Sequence, residues 1–294
     1  MGQTQRGMSD GVADPIRRGA SRLPDGRRLG WAEWGPEDGA VVLFCPGAGT
    51  SARLGFGADV VGELGVRLIG LDRPGLGQSD PSPGRTLSDF AEDVRAFIAA
   101  QSLSAPRIAG FSQGAPFALA CAAAGIVEAA AIVSGTDELA SPVFTAALPP
   151  DLGALVDGIA QDPSEAEALF SRMDARTMHD MVVRMSSESD RAIFAEPGFD
   201  RAYREALREG FAQGPAGYAR DTILTMSRWP FDPAQIAVPV DLWYGREDTS
   251  PTHAPDFGAT LARRIPGARH HLLPAGSGLL WTHARAILAS LVAS

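Results

Sequence analysis

The chain has 294 residues, of which 45% are hydrophobic and 21% are charged, values that are ordinary for a folded enzyme-sized domain. Its formal net charge of -9 disfavours nucleic acid as a partner, because binding to phosphate backbones requires a basic surface. All 26 basic residues are arginine, which excludes a P-loop, a Schiff-base enzyme and other chemistry that needs a lysine amine. The sequence shows no leader-like or membrane-spanning apolar run, so we expect a cytoplasmic protein without a membrane span.

Segments typical of strands and helices alternate along most of the chain. Residues 1–17 are polar and aperiodic, and we expect them to form a loose N-terminal tail. Strands are predicted at Arg28–Trp34, Val41–Cys45, Arg67–Leu71, Arg107–Gly110, Glu128–Val133, Val240–Tyr244 and His270–Leu273, and helices at Thr86–Ala100, Gly114–Ala124, Ala254–Ile265 and Leu279–Val292. This alternation predicts an α/β fold, with a mostly parallel, twisted sheet and helices on both of its faces.

One long stretch interrupts the alternation. Residues 139–228 contain helical patterns, such as Glu165–Met173 and Phe199–Phe211, but no good strand. We therefore expect a helical lid inserted into a core formed by residues 18–138 and 229–294, placed over the strand ends where ligands bind in such sheets. The methionines and phenylalanines of this segment predict an apolar pocket for a small-molecule substrate.

The strongest chemical motif is the pentapeptide Gly110-Phe111-Ser112-Gln113-Gly114. It lies between a predicted short strand and a predicted helix of small residues. A serine on a sharp strand-to-helix turn presents its hydroxyl for nucleophilic attack, and the flanking glycines make such a turn sterically possible. The motif favours Ser112 as a nucleophile, the alternative being a solvated serine in a tight turn.

Three further motifs, together with this pentapeptide, resemble the α/β-hydrolase superfamily. They are Val41–Gly49 (VVLFCPGAG), Leu71–Asp80 (LDRPGLGQSD) and Leu242–Asp248 (LWYGRED). The similarity runs in register from about residue 20 to residue 294 and is weak only within residues 139–228. It implies an α/β-hydrolase fold and acyl transfer on a small apolar ester, lactone or amide, with no cofactor.

The resemblance also implies roles for individual residues. The backbone N–H groups of Ala48 and Gln113 would form the oxyanion hole that stabilises a tetrahedral intermediate. Asp248 stands where the family keeps its triad acid, and Glu247 is a second candidate. An Asx-turn ahead of the following helix is the structural alternative for Asp248.

The histidine that completes the triad in this family is not at its usual position. Relatives carry it after the last strand, where this chain has Ser277. Serine has no group that titrates near neutral pH and cannot take the proton of Ser112 as imidazole does. We therefore expect a hydrolase that lacks its triad histidine through an engineered or natural His-to-Ser change, with His283 as an alternative base. The other histidines, His179, His253, His270 and His271, are interpreted as ordinary polar or structural residues.

Other classes of function stay open. Loss of the histidine is compatible with a ligand-binding module or a repurposed, non-hydrolytic enzyme. The segment Gly47–Ala52, with Asp72 about twenty residues later, also resembles a dinucleotide-binding fingerprint. No metal site is expected, because neither a His-Glu-x-x-His motif nor paired cysteines occur, and Cys45 and Cys121 are interpreted as small buried hydrophobes. The oligomeric state, including a homo-oligomer, also stays open.

Overall fold

An eight-stranded sheet forms the centre of the computed structural model, which describes residues 11–144 and 146–294. The strands in chain order are β1 (Arg17–Arg22), β2 (Arg28–Trp34), β3 (Ala40–Cys45), β4 (Val66–Leu71), β5 (Arg107–Phe111), β6 (Ala130–Val133), β7 (Val240–Gly245) and β8 (Arg269–Leu273). They lie in the order β1-β2-β4-β3-β5-β6-β7-β8. Strand β2 is antiparallel to both of its neighbours, and the strands from β4 to β8 are parallel.

Helices cover both faces of this sheet. The core helices are α1 (Val61–Leu64), α2 (Leu87–Ala100), α3 (Ala115–Ala123), α10 (Ala259–Arg264), α11 (Leu279–Thr282) and α12 (Ala284–Val292). Helices α2, α3 and α10 share one buried apolar cluster with the sheet, and α1, α11 and α12 share the other. The predicted fold class is confirmed.

Strand β3 shows why the sheet has two apolar faces. Val41, Leu43 and Cys45 belong to the cluster that includes α2 and α3, whereas Val42 and Phe44 belong to the cluster that includes α11 and α12. Successive side chains of a strand point to opposite faces, so a strand covered on both sides must be continuously apolar.

Six α-helices lie in the described part of the connection between β6 and β7. They are α4 (Pro150–Gln161), α5 (Pro163–Phe170), α6 (Ala175–Met185), α7 (Glu188–Ala195), α8 (Pro197–Gly210) and α9 (Ala216–Met226). Their apolar faces form two further buried clusters. Within the described residues of the connection there is no strand, and every helix of the described chain falls short of the length and apolarity that a membrane crossing requires.

Residues 1–10 of the expected loose tail lie outside the described residues. Its described part, residues 11–17, differs from the expectation. Strand β1 begins at Arg17, within the expected tail, and pairs with β2. Before it, the carbonyl of Ala13 accepts a hydrogen bond from Trp34 Nε1 at 2.9 Å, and Ile16 N–H donates to Glu33 O at 2.9 Å. Residues 13–16 are therefore held against the sheet, although residues 12–16 form no helix or strand of their own.

Two predicted helices are shorter than expected, and a histidine lies next to each difference. The helix predicted at Ala254–Ile265 begins only at Ala259, so the residues before it form turns after β7. The last predicted helix is divided into α11 and α12 at His283. His253 directly precedes the turns that replace the start of the first helix.

Candidate active site

Ser112 lies at the turn between β5 and α3, with a backbone φ of 51°. A non-glycine residue in this left-handed region is strained, and such strain often marks a functional turn. The turn also requires small neighbours. A Cβ on Gly114 would collide with the backbone carbonyl of Cys45, and one on Gly110 would lie 2.7 Å from the Cβ of Ala118. The two glycines thus allow the serine turn to pack directly on the sheet and on α3.

A chain of two hydrogen bonds connects Ser112 to an imidazole and a carboxylate. Ser112 Oγ lies 2.8 Å from His253 Nε2, and His253 Nδ1 lies 2.7 Å from Asp248 Oδ2. Both partners are nearly enclosed, since the Asp248 side chain is 3% exposed and the His253 side chain is 9% exposed. If Nδ1 carries a proton held by the carboxylate, Nε2 is free to accept the proton of the serine.

The loop after β7 positions both the histidine and the aspartate. Asp248 Oδ1 accepts a hydrogen bond from Ser250 N–H at 2.9 Å, which closes an Asx-turn. The loop is then tied to the loop after β6, because Ala254 N–H donates to Gly135 O at 3.0 Å. Asp248 therefore makes both contacts at once, because its Oδ1 closes the Asx-turn and its Oδ2 contacts His253.

The expectation that no histidine reaches Ser112 is therefore wrong. His253, which the sequence analysis treats as an ordinary polar residue, provides the imidazole from a position only five residues after Asp248. The chain order Ser, Asp, His is retained, but the histidine lies in the loop after β7 rather than after β8. The signal in the sequence was a histidine five residues after the aspartate that follows β7, although this spacing does not show where the imidazole points.

Ser277 borders the same cavity as Ser112 but makes a different contact. Its Oγ and N–H groups donate to Asp190 Oδ2 of α7 at 2.9 Å and 2.8 Å, and Gly278 N–H donates to Asp190 Oδ1 at 2.7 Å. A Cβ on Gly276 would collide with the same carboxylate, so glycine is required for this close approach. Ser277 thus fastens the loop after β8 to α7.

The other candidate base and acid are engaged elsewhere. His283 stands between α11 and α12, where its Nδ1 lies 2.9 Å from Thr282 Oγ1, and partial burial lowers its pKa. It is not among the described residues that line the cavity at Ser112. Glu247 Oε2 accepts a hydrogen bond from Ser189 Oγ at 2.9 Å on an exposed surface. The remaining histidines bind Asp200 (His179), Phe257 O (His270) and Asp241 (His271).

Ala48 and Gln113 line the cavity beside Ser112. The loop that contains Ala48 is close to the serine, since a Cβ on Gly47 would lie 3.8 Å from the Cβ of Ser112. The side chain of Gln113 is held in a buried contact, in which its Nε2 donates to Thr222 Oγ1 of α9 at 3.0 Å. Both residues therefore border the same cavity as Ser112.

The cavity itself has a volume of about 260 Å³ and is bounded by the strand ends on one side and by helices of the β6–β7 connection on the other. Its lining is mainly apolar, and among the described residues that form it there is no aspartate, glutamate or arginine. Four of its methionines lie on or next to α6. Its main apolar residues are Leu54, Leu155, Phe170, Met173, Met178, Met181, Val182, Met185, Ile193, Phe194, Met226 and Trp281.

The residues that were considered for binding a nucleotide or a metal ion have structural roles in this fold. Asp72 is 3% exposed and accepts hydrogen bonds from Ala52 N–H at 2.6 Å and Gln78 N–H at 2.9 Å, and burial raises its pKa to about 6. Its carboxylate therefore holds loops together instead of facing a ribose. The described part of the chain contains no group of three or more metal-ligating side chains, and both Cys45 and Cys121 are buried and unpaired.

Comparison with known proteins establishes the family. The sequence profile of the alpha/beta hydrolase family matches residues 42–290, so the chain belongs to this family. The chain is 35% identical over 99 residues to a non-heme chloroperoxidase from Streptomyces lividans, a match that spans 33% of this chain and 36% of that protein. Similar solved structures include a hydrolase from Pseudomonas aeruginosa PA01 (TM-score 0.69, 20% identity, 95% and 99% of the two chains covered) and the enol-lactonase from Burkholderia xenovorans LB400 (TM-score 0.68, 18% identity, 94% and 98% covered). At these identities the structural likeness concerns the fold alone.

Proposed function

We propose that this protein hydrolyses an uncharged ester or lactone with an apolar acyl group through a covalent acyl-enzyme. The observation that carries the proposal is the hydrogen-bonded chain Ser112–His253–Asp248, with distances of 2.8 Å and 2.7 Å, beside an apolar cavity that Ser112 and His253 line. A nucleophile, a base and an acid that orients the base are the three parts that acyl transfer requires.

The chemistry proceeds in two halves. Ser112 Oγ attacks the carbonyl carbon while its proton passes to His253 Nε2, and Asp248 stabilises the imidazolium that forms. The carbonyl oxygen becomes negative in the tetrahedral intermediate and is received by the N–H groups of Ala48 and Gln113. The bond to the alcohol oxygen then breaks as His253 returns the proton to it. A water molecule, deprotonated by the same imidazole, releases the acid and restores the Ser112 hydroxyl.

The cavity lining supports this class of substrate. A substrate carboxylate would lose its hydration without meeting an arginine among the described lining residues, and burying an unpaired charge is costly. Methionine side chains are flexible and polarizable, so the lining can adapt to acyl chains of different shape. In this proposal residues 139–228 are a helical lid that encloses the acyl group, and the volume of about 260 Å³ favours short to medium chains.

A chain-length series of p-nitrophenyl esters tests the proposal. We expect turnover to rise from acetate to a medium-chain ester and to fall for long chains, with poor turnover of an acyl group that carries a terminal carboxylate. Ser112→Ala should abolish both turnover and labelling by a fluorophosphonate probe. A folded protein that neither reacts with the probe nor cleaves any ester of the series would refute the hydrolase assignment and favour a ligand-binding module.

A further inference from the structure

One buried guanidinium contacts both the loop at residues 46–47 and Gln113, the residue after Ser112. The side chain of Arg73 follows β4 and is fully buried. Its Nη1 donates to Pro46 O at 2.5 Å, its Nη2 donates to Gly47 O at 3.0 Å and lies 3.4 Å from Gln113 Oε1, and its Nε donates to Asp221 Oδ2 at 2.6 Å. We propose that Arg73 is a positioning residue that orients the two oxyanion-binding N–H groups, an inference that rests on the proposed function.

The geometry of the peptide bond explains how the first donor is oriented. The carbonyl of Gly47 and the N–H of Ala48 belong to one planar peptide unit, in which these two groups point in opposite directions. Arg73 holds the carbonyl end, which also accepts hydrogen bonds from Thr50 Oγ1 at 2.9 Å and Thr50 N–H at 3.4 Å. Fixing the oxygen on the protein side therefore fixes the Ala48 N–H toward the cavity.

The same contacts polarise that peptide unit. Donors at the carbonyl oxygen withdraw electron density from the amide, so the N–H at the other end becomes a stronger donor. One of these donors carries a full positive charge in a site from which water is excluded. Both effects favour the tetrahedral intermediate, where the substrate oxygen is an anion, over the neutral ground state.

The second donor is restrained through its side chain. Gln113 Oε1 faces Arg73 Nη2 at 3.4 Å, and Gln113 Nε2 donates to Thr222 of α9 at 3.0 Å. With its amide held at both ends, Gln113 cannot rotate freely, and its backbone N–H is fixed beside Ser112. One guanidinium thus reaches both halves of the oxyanion site.

Helix α9 supplies the counter-charge that holds Arg73 in this place. Asp221 is fully buried between Arg73 and Arg85, and Arg85 Nη2 donates both to Asp221 Oδ1 and to Gly217 O. A Cβ on Gly217 would lie 2.7 Å from the carbonyl carbon of Gly75, so the start of α9 packs directly on the loop that contains Arg73. The β6–β7 connection is therefore coupled to the oxyanion loop by charge as well as by packing.

Arg73→Lys and Asp221→Asn are the variants that test the inference. A lysine ammonium lacks the planar fork and cannot hold two adjacent carbonyls and a carboxylate in one geometry. Because removal of a whole oxyanion donor costs about 10²–10³ in kcat, we expect Arg73→Lys to lower kcat by about 10- to 100-fold with KM changed by less than about threefold. Asp221→Asn should show a smaller loss of the same kind.

A control exists near the start of β4, at the opposite end of the strand that Arg73 follows. There Glu33 is buried between Arg17 and Arg67, as Asp221 is between its two arginines. Arg67→Lys should also destabilise the protein, measured by thermal unfolding, without changing kcat.

Affinity for a boronic acid that adds to Ser112 separates positioning from general damage. In Arg73→Lys it should fall in parallel with kcat/KM, whereas affinity for an unreactive alcohol of the same chain length should stay unchanged. A loss confined to KM, or unchanged boronic acid affinity, would overturn the inference while leaving the hydrolase assignment intact.

A readout independent of turnover covers the case in which no ester is cleaved. The amide proton resonances of Ala48 and Gln113 should shift in Arg73→Lys and stay in place in Arg67→Lys. If they do not move in Arg73→Lys, Arg73 does not orient these groups, whatever reaction the protein catalyses.

Discussion

Replacement of His253 by alanine is the most direct test of the site, because the sequence and the structure disagree on the base. The imidazole bridges Ser112 Oγ and Asp248 Oδ2 at 2.8 Å and 2.7 Å, so its loss removes both hydrogen bonds at once. Loss of a triad histidine alone can lower turnover by about 10⁶-fold, and a range of 10⁴- to 10⁶-fold corresponds to about 5–8 kcal/mol of transition-state stabilisation. Hydrolysis of p-nitrophenyl butyrate, with circular dichroism as the check on folding, measures this loss.

Two histidine variants make the result specific. His271 forms the same kind of contact, with Nε2 2.7 Å from Asp241 Oδ1, but between β7 and β8 and away from Ser112. His271→Ala should therefore cost about 1 kcal/mol of stability and change kcat by less than about twofold. His283→Ala should likewise leave kcat unchanged, since that side chain is not part of the described cavity lining.

Chemical rescue adds a positive outcome. The space vacated in His253→Ala adjoins a cavity of about 260 Å³, so free imidazole should enter and restore part of the activity in a concentration-dependent way. The reasoning fails if His253→Ala retains more than about a tenth of the wild-type kcat, or if His283→Ala loses as much as His253→Ala does.

Three further predictions follow from the same structure. Ser277→His should lower both the melting temperature and ester turnover, because the larger side chain breaks the contact with Asp190. It should not raise turnover, because His253 already contacts Ser112 in the role of the proposed base. A gain in turnover of tenfold or more would show that residue 277 can still act as the base. Gly114→Ala should lower kcat by more than about 100-fold and destabilise the fold by several kcal/mol in urea unfolding, because the alanine Cβ would collide with the carbonyl of Cys45. A near-normal kcat and stability would contradict the packing argument. Burial raises the pKa of Asp137 from 3.8 to about 6. Between these two pH values the folded state therefore holds a proton that the unfolded state lacks. Burial of the charged carboxylate thus destabilises the fold fully above pH 6, and this destabilisation vanishes near pH 4. Asp137→Asn should then raise the free energy of unfolding by up to about 3 kcal/mol at pH 8 and by almost nothing at pH 4, and equal effects at both pH values would exclude this origin.

The sequence predicts the core of this fold well because its periodicities are strong. The capping box formed by Thr86 and Asp89 marks the start of α2, and the glycines around Ser112 mark a turn that only small residues allow. Strand β1 escapes prediction because it lies at the edge of the sheet, where four of its six residues are polar or charged. An edge strand has only one neighbour, so its pattern is weak and its pairing with β2 supplies the missing information.

The proposed base, His253, escapes prediction for a different reason. A loop has no periodicity, so nothing in residues 249–253 indicates where the imidazole of His253 points. Comparison by position alone leads to Ser277, because it assumes that the histidine must follow β8. The order of Ser112, Asp248 and His253 along the chain is preserved, but their geometry depends on the turn at Ser250, which only the folded structure shows.

The position of His253 in the loop after β7 and the contact of Ser277 with α7 belong to one arrangement of the two loops. If residue 277 supplied the base, an imidazole would have to project from the loop after β8 toward Asp248, and the loop would be shaped to aim it. Here His253 meets Asp248 from within the same loop, and the loop after β8 instead directs two N–H groups and one hydroxyl to the buried Asp190. Asp190 has no cationic partner among the residues that the structure describes, so its buried carboxylate requires such donors, and Ser277 and Gly278 provide them. The serine at position 277 is thus explained by what it binds, and the absence of histidine there does not imply the absence of a base.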